Sequence, residues 1–520
     1  MLRALVIAVS IMLSSAAWPQ QLVVGTATQT TSIDPHFQLA FTNLAFARHV
    51  YEPLFAQDER QQLHPALALS WEPLSPTLWR IRLRAGVHFH DGSPFTADDV
   101  AFTLARAPDV PNSPASFALY TRAIAAVTVL DPLTVEIRTD APRPTLPMEL
   151  STVGIISRRA AEGARTADFN SGRAAIGTGP FRFVEWTPGE RIVLTRNPNY
   201  WGPAPAWERV VFRVITNDSA RSAALISGDV DIIEAVPAAM LERVRARADL
   251  ASVGTPGNRL LYLAMDQAAE VSANALAPTG TPLARNPFRD VRVRRAVSLA
   301  IDRAALADRV MHGAATPAGQ VLPPGYTGVH PAIGPDPFDP ARARALLNDA
   351  GFGDGFATTL IAPNDRYPND EQLAQAVAQM LARVGIRVRV EATPGAVVLQ
   401  RASRGEFGLM MWGITSETGE TTSSLRSLLV LPGSRLGGQA NRGRYSNPEV
   451  DGLLERSVAE MDLAARASLI DAVSEIAARD VAFISLVYPQ NIWAMRRTIA
   501  YRPRSDGYTL AMDVRPAASP

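Results

Sequence analysis

The His88-x-His90 pair, within Val87-His-Phe-His-Asp-Gly-Ser-Pro-Phe-Thr-Ala-Asp-Asp-Val100, is the first place to look for chemistry. Residues i and i+2 of a strand share one face, and two imidazoles there can grip a metal ion. No third histidine or carboxylate completes a ligand set. The 7 His are otherwise scattered and there are 0 Cys, so no metal centre and no nickel role are expected. The Gly351-x-Gly353-x-Gly355 cluster could cradle a phosphate, but it lacks a strand before it and a helix after it, and reads as a helix exit. Nucleophilic chemistry lacks its parts as well: there is no Gly-x-Ser-x-Gly, no His-Glu-x-x-His and no cysteine. Each of the 51 Lys+Arg residues is Arg, which removes Schiff-base lysines and a Walker-type phosphate loop. A hydrolase is the least supported function, and no cofactor is expected.

The elements around these residues alternate between strand and helix patterns. Leu22-Val-Val-Gly reads as an opening strand, followed by the polar loop Thr31-Ser-Ile-Asp-Pro-His36. Leu44, Ala47, Val50 and Tyr51 fall at helical spacing, whereas Trp79-Arg-Ile-Arg-Leu-Arg84 alternates as a strand with one wet face. Thr96 is placed to cap a helix whose first turn carries Asp98 and Asp99. Further on, Asp339-Pro340 and Asn447-Pro448 read as helix starts, and Ile386-Arg-Val-Arg-Val390 as a strand following the helix Gln372–Arg383. The arginines of Phe288–Arg303 are expected to form a solvated face. Ile484–Tyr488 and Asn491–Ala494 read as two strands, and Thr415–Ser424 as a polar loop. With 520 residues and 47% hydrophobic content the chain can bury more than one core, and a net charge of +1 gives no footprint for nucleic acid or anionic lipid.

Three stretches are more specific together than any is alone: Gly177-Thr-Gly-Pro-Phe-Arg-Phe-Val-Glu-Trp186, Thr195-Arg-Asn-Pro-Asn-Tyr-Trp-Gly202 and Ile226-Ser-Gly-Asp-Val-Asp-Ile-Ile233. The first reads as a turn feeding one arm of a hairpin, with Arg191–Arg196 as the other arm. In this order and spacing they resemble the solute-binding proteins of ABC importers, specifically the large family 5 that captures peptides, nickel complexes and related solutes. The resemblance implies an α/β, two-lobed periplasmic binding protein of type II, cluster C-like, with mixed sheets and a hinge of two crossing segments. Its expected layout is a signal peptide over 1–17, lobe I over 18–260 with an inserted subdomain at about 55–175, lobe II over 261–485, and a return to lobe I with a loose tail over 486–520.

By the same resemblance, Trp412 matches a tryptophan that lines the ligand pocket at the end of a strand. Three residues later, peptide-binding members carry an Asp that anchors the ligand's ammonium group; here that position is Thr415. A neutral hydroxyl gives a buried ammonium no counter-charge, which places ordinary peptide capture in doubt. Glu417 is a possible substitute. The candidate ligand-binding residues are therefore Trp412, Thr415, Ser416 and Glu417, with Thr31, Ser32 and His36 from the opposing lobe, and Arg442 and Tyr445 as secondary candidates. For His36, a turn histidine bonded to backbone is an equal alternative.

At the N-terminus, Arg3, the apolar run Ala4–Leu13 and the small residues Ser14–Ala17 have the order of a secretory signal, with a cut expected after Ala17. With no cysteine to receive a lipid, the mature protein is expected to be soluble in a Gram-negative periplasm. Its expected partners are a peptide-like or other small organic solute and an ABC permease with its ATPase at the inner membrane, with the receptor itself monomeric. A chaperone-like or sensory role on the same fold is the alternative.

Overall fold

The computed structural model describes residues 21–517. The expected signal segment and its cut lie outside the described residues, as do the last three residues of the tail.

One strand organises the molecule. Ile484–Arg496 runs without a break through a thirteen-stranded network and divides it into two sheets. Its later half, Gln490 to Arg496, pairs antiparallel with Leu250–Pro256, and Ala494 and Met495 also pair with Ile232–Ile233. Its earlier half pairs antiparallel with Arg259–Met265, at Leu261–Val487 and Leu263–Ile484. The chain therefore crosses between the lobes twice, side by side, and Gly257 N donates to Pro489 O at 3.0 Å where the crossings meet. The two strands read from the sequence around Pro489 are one, because the prolyl carbonyl is bonded on one side while Ala315 pairs on the other.

In the first lobe, Gln21–Thr26 lies parallel to Arg209–Val214 and to Ile232–Ile233, and the hairpin Phe181–Thr187 with Arg191–Arg196 extends the sheet. Period-two alternation sends Leu22 and Val24 into one core and Val23 against another, so both faces are covered. An antiparallel four-stranded sheet, Ala68–Ser75, Leu78–Leu83, Thr134–Thr139 and Ile124–Asp131, forms a separate layer. Trp79, Ile81 and Leu83 bury one face of it against the helix Ala97–Arg106. Asp99 closes the start of that helix by accepting from Thr96 N at 2.9 Å.

The second lobe's sheet sets Arg259–Met265 antiparallel to Leu409–Thr415, which lies parallel to Phe356–Pro363, itself parallel to Ile386–Thr393. Two expectations are corrected here. Arg294 and Arg303 are buried, not solvated: Arg294 donates to the carbonyls of Asp480 and Phe288, and Arg303 to Ser485 O at 2.7 Å. The polar stretch after Thr415 is loop only as far as Glu420, since Thr421–Leu429 is helical and turns Leu425, Leu428 and Leu429 inward.

The three stretches that carried the resemblance are structural devices. A Cβ on Gly177 would stand 1.9 Å from Val50 O, and one on Gly179 2.6 Å from His49 O, so this turn can lie against the end of the helix Phe41–Val50 only as glycine. Glu52, just beyond that helix, accepts from Thr178 Oγ1 (2.8 Å), Tyr200 OH (2.8 Å) and Trp201 Nε1 (2.7 Å), and so ties the first two stretches together. Burial pushes its carboxyl up to about 7. In the third stretch, Gly228 O accepts from Arg496 and Asp231 accepts from Val23 N.

Candidate functional site

The strand Leu409–Thr415 ends where the lobes meet. Its extension is anchored to the first lobe: Gln57 Nε2 donates to Thr418 O at 2.7 Å, and Asn258 Nδ2 bridges Gln61 Oε1 and Ser416 O, both at 2.9 Å. Ser416 Oγ closes the turn by donating to Glu420 O and accepting from Glu420 N. Glu420 is in turn held by Arg466 Nη2 at 2.8 Å in a buried ion pair. Beside this turn a crevice of about 340 Å³ opens, with Tyr120, Arg143 and Glu149 on the first-lobe side and Thr418 and Arg426 on the other.

Trp412, in the strand Leu409–Thr415, is half-buried. Tyr367 meets it edge-on, with ring centroids 6.0 Å apart, and Arg366 lies over its ring at 5.3 Å. Tyr367 is fixed by accepting a hydrogen bond from Gly413 N at 3.0 Å. Thr415 stands opposite Arg259 in the ladder, and Arg259 Nε donates to its hydroxyl at 3.1 Å. The Glu417 side chain is half-buried; burial raises its pKa, while Arg259 opposes the rise and Asp506 adds to it. Glu417 is also a charged neighbour of Tyr120 and Tyr508, so it faces both parts of the first lobe.

Other candidates make hydrogen bonds within the protein. His36 is fully buried: Nε2 donates to Gly154 O at 2.8 Å, and Nδ1 accepts from Arg106, whose guanidinium also clamps Asp34. Ser32 is buried and donates to Asn170 Oδ1. Tyr445 is buried and donates to Asp480 Oδ2 at 2.7 Å. Thr31 is exposed and bonded to Gln38 and Asn43, while Arg442 is half-buried. His90 is turned into the Gly177–Gly179 turn and His88 is exposed, so the pair does not converge, and no cluster of three metal-ligating groups occurs among the described residues.

The model of the bacterial extracellular solute-binding proteins, family 5 Middle, matches residues 62–433. The chain belongs to that family. Glutathione-binding protein GsiB of Escherichia coli (strain K12) is 28% identical over 514 residues, covering 96% of this chain and 94% of the relative. Among solved structures, the periplasmic binding protein DppA of Helicobacter pylori, in complex with peptide STSA, overlays with a TM-score of 0.72 at 23% identity, covering 95% of this chain and 98% of that one. The unliganded open form of the murein tripeptide-binding protein MppA overlays at 0.81 with 22% identity, covering 96% and 98%. These likenesses carry the two-lobed α/β fold. Family members bind solutes, and the curated relatives are solute-binding proteins rather than enzymes.

Arg259, Arg366 and Tyr367 were not legible as neighbours of the candidate residues Trp412 and Thr415. Arg259 becomes one only through the register that sets it opposite Thr415, and the other two lie in a loop far from Trp412 in sequence.

Proposed function

We propose that this chain is the periplasmic receptor of an ABC importer, which captures a peptide-like or other small organic solute between its lobes and hands it to the permease and ATPase. It acts as a monomer and by binding, without turnover. The observation that carries this reading is the double crossing at Pro256–Arg259 and Val487–Gln490, with the wall Trp412–Glu417 at the junction. Paired crossings let the lobes rotate as rigid bodies about a short hinge, the arrangement that clamshell receptors use. Glutathione- and peptide-binding relatives support a peptide-like solute.

Among the described residues no helix is long and apolar enough to cross a membrane. N-terminal sequencing of periplasmic material tests export. Small-angle scattering with the solute recovered by native mass spectrometry tests the mechanism: compaction at one solute per chain is expected. Chemical conversion of the solute would overturn the reading.

A further inference from the structure

Two guanidinium groups flank the aromatic corner of Trp412 and Tyr367, and both are exposed. Arg366 covers Trp412, and Arg259 lies over Tyr367 at 5.6 Å. Neither belongs to an ion pair among the described residues. The carboxylates near Arg366 are committed elsewhere: Asp365 accepts from Gly395 N, and Asp370 from the backbone of Arg366 and Tyr367. Arg259 spends only Nε, on Thr415. That bond fixes the plane of the guanidinium and leaves the two Nη groups, the edge that matches a carboxylate in a bidentate pair. From the first lobe, Arg48 adds a third guanidinium with no hydrogen-bond or ion-pair partner among the described residues. Its ionisable neighbours are Tyr508, Arg504 and Asp506, and Asp506 is already held by Arg504 at 2.7 Å. Glu417 forms no ion pair among the described residues; burial pushes its carboxyl up and Arg259 pulls it down.

We propose that the cleft selects an acidic solute, one of whose carboxylates docks on the Nη edge of Arg259 beside Arg366 and the Trp412 ring, with Thr415 positioning the guanidinium. This rests on the receptor reading and deepens it. It reverses the polarity of the ammonium anchor expected from the family resemblance: the position that would carry a negative charge carries a hydroxyl, and that hydroxyl orients a positive one.

Calorimetry and thermal unfolding of the mature chain test it, with N-acetylated tripeptides as free acids, the same peptides as C-terminal amides, unblocked peptide amides, succinate and glutarate as probes. Acids are expected to bind about tenfold or more tighter than their amides, the scale of a lost charge-assisted pair. Arg259→Gln is expected to erase that difference. Thr415→Val is expected to weaken acids severalfold and Thr415→Ser to restore them, which separates positioning from a merely structural role. Amides binding as tightly as acids, or an acid preference untouched by Arg259→Gln, would overturn the inference while leaving a receptor. Failure of every probe to bind would remove this inference, while the receptor reading stands or falls on the solute recovered by native mass spectrometry.

Discussion

Arg259 and Thr415 face each other across the antiparallel ladder that also sets Leu260 opposite Ile414, and Arg259 Nε donates to the Thr415 hydroxyl at 3.1 Å. A carboxylate at 415 would pair with that guanidinium directly and neutralise it. Thr415→Asp is therefore expected to weaken binding of acidic solutes by about tenfold or more, because the Arg259 edge is taken by an internal partner. Calorimetry on the variant checks this, and unchanged acid affinity would place the solute elsewhere in the cleft.

Trp412 presents a half-buried ring with Arg366 over it at 5.3 Å. Truncation removes both the contact surface and the platform that holds the guanidinium. Trp412→Ala is expected to weaken the solute by about 2 kcal/mol or more, as for a buried aromatic anchor. Because the ring is only half-buried, the unfolding midpoint should move little. A large loss of stability with unaltered affinity would make Trp412 a core residue.

Local chemistry was legible in the sequence wherever a residue acts on its near neighbours. Thr96 with Asp99, Asp339 with Pro340 and Asn447 with Pro448 all form the helix starts that their types dictate, since a cap needs only residues within one turn. The stretch beginning Gly177-Thr-Gly-Pro180 was one of three that carried the family resemblance, yet its partner Glu52 lies far upstream and was invisible. The surroundings of the candidate site were half legible for the same reason. Trp412 and Thr415 sit in one strand, whereas Arg259 meets them through strand register and Tyr367 through a loop. Buried Arg294 and Arg303 were missed because arginine is read as a surface residue, and here backbone carbonyls at a helix end and a strand supply the acceptors. For His36 the sequence left ligand contact and a backbone-bonded turn histidine equally open, and the ring is enclosed by Arg106 and bonded to Gly154 O.

The turn that presents Glu417 depends on a buried pair. Arg466 Nη2 donates to Glu420 Oε1 at 2.8 Å, with side-chain exposures of only 6% and 2%, while Glu420 N and O are both held by Ser416. Arg466→Met leaves Glu420 charged and uncompensated, at a cost of about 3–5 kcal/mol. Adding Glu420→Gln should recover much of that loss. Urea unfolding of the single and double variants measures it, and additive losses would show that the two side chains act independently.

Three buried histidines set the acid limit of the fold, and they share one bonding pattern. His36 donates through Nε2 to Gly154 O and accepts at Nδ1 from Arg106; His90 donates to Gly179 O and accepts from Gly177 N; His49 donates through Nδ1 to Ala45 O and accepts at Nε2 from Ala511 N. Each ring is neutral, and adding a proton would aim an N–H at a donor. Burial, the largest cause in each case, lowers all three from 6.5 to about 4. Between those values the unfolded chain binds more protons, so the stabilisation is fully present above 6.5 and is lost as pH falls through about 4. Each ring contributes on the order of 3 kcal/mol. Glu52 acts in the opposite sense, because its raised carboxyl favours the fold below its unfolded value of 4.5 and loses that advantage as pH rises through about 7. Glu234 and Glu417, raised by burial as well, act in the same sense as Glu52, so the histidine share of the balance is read by comparing variants with the parent. Relative to the parent, the urea midpoint is expected to fall less between pH 7 and pH 5 in His49→Gln and more in Glu52→Gln. Midpoints of both variants that run parallel to the parent would show that these groups titrate alike in the folded and unfolded chains.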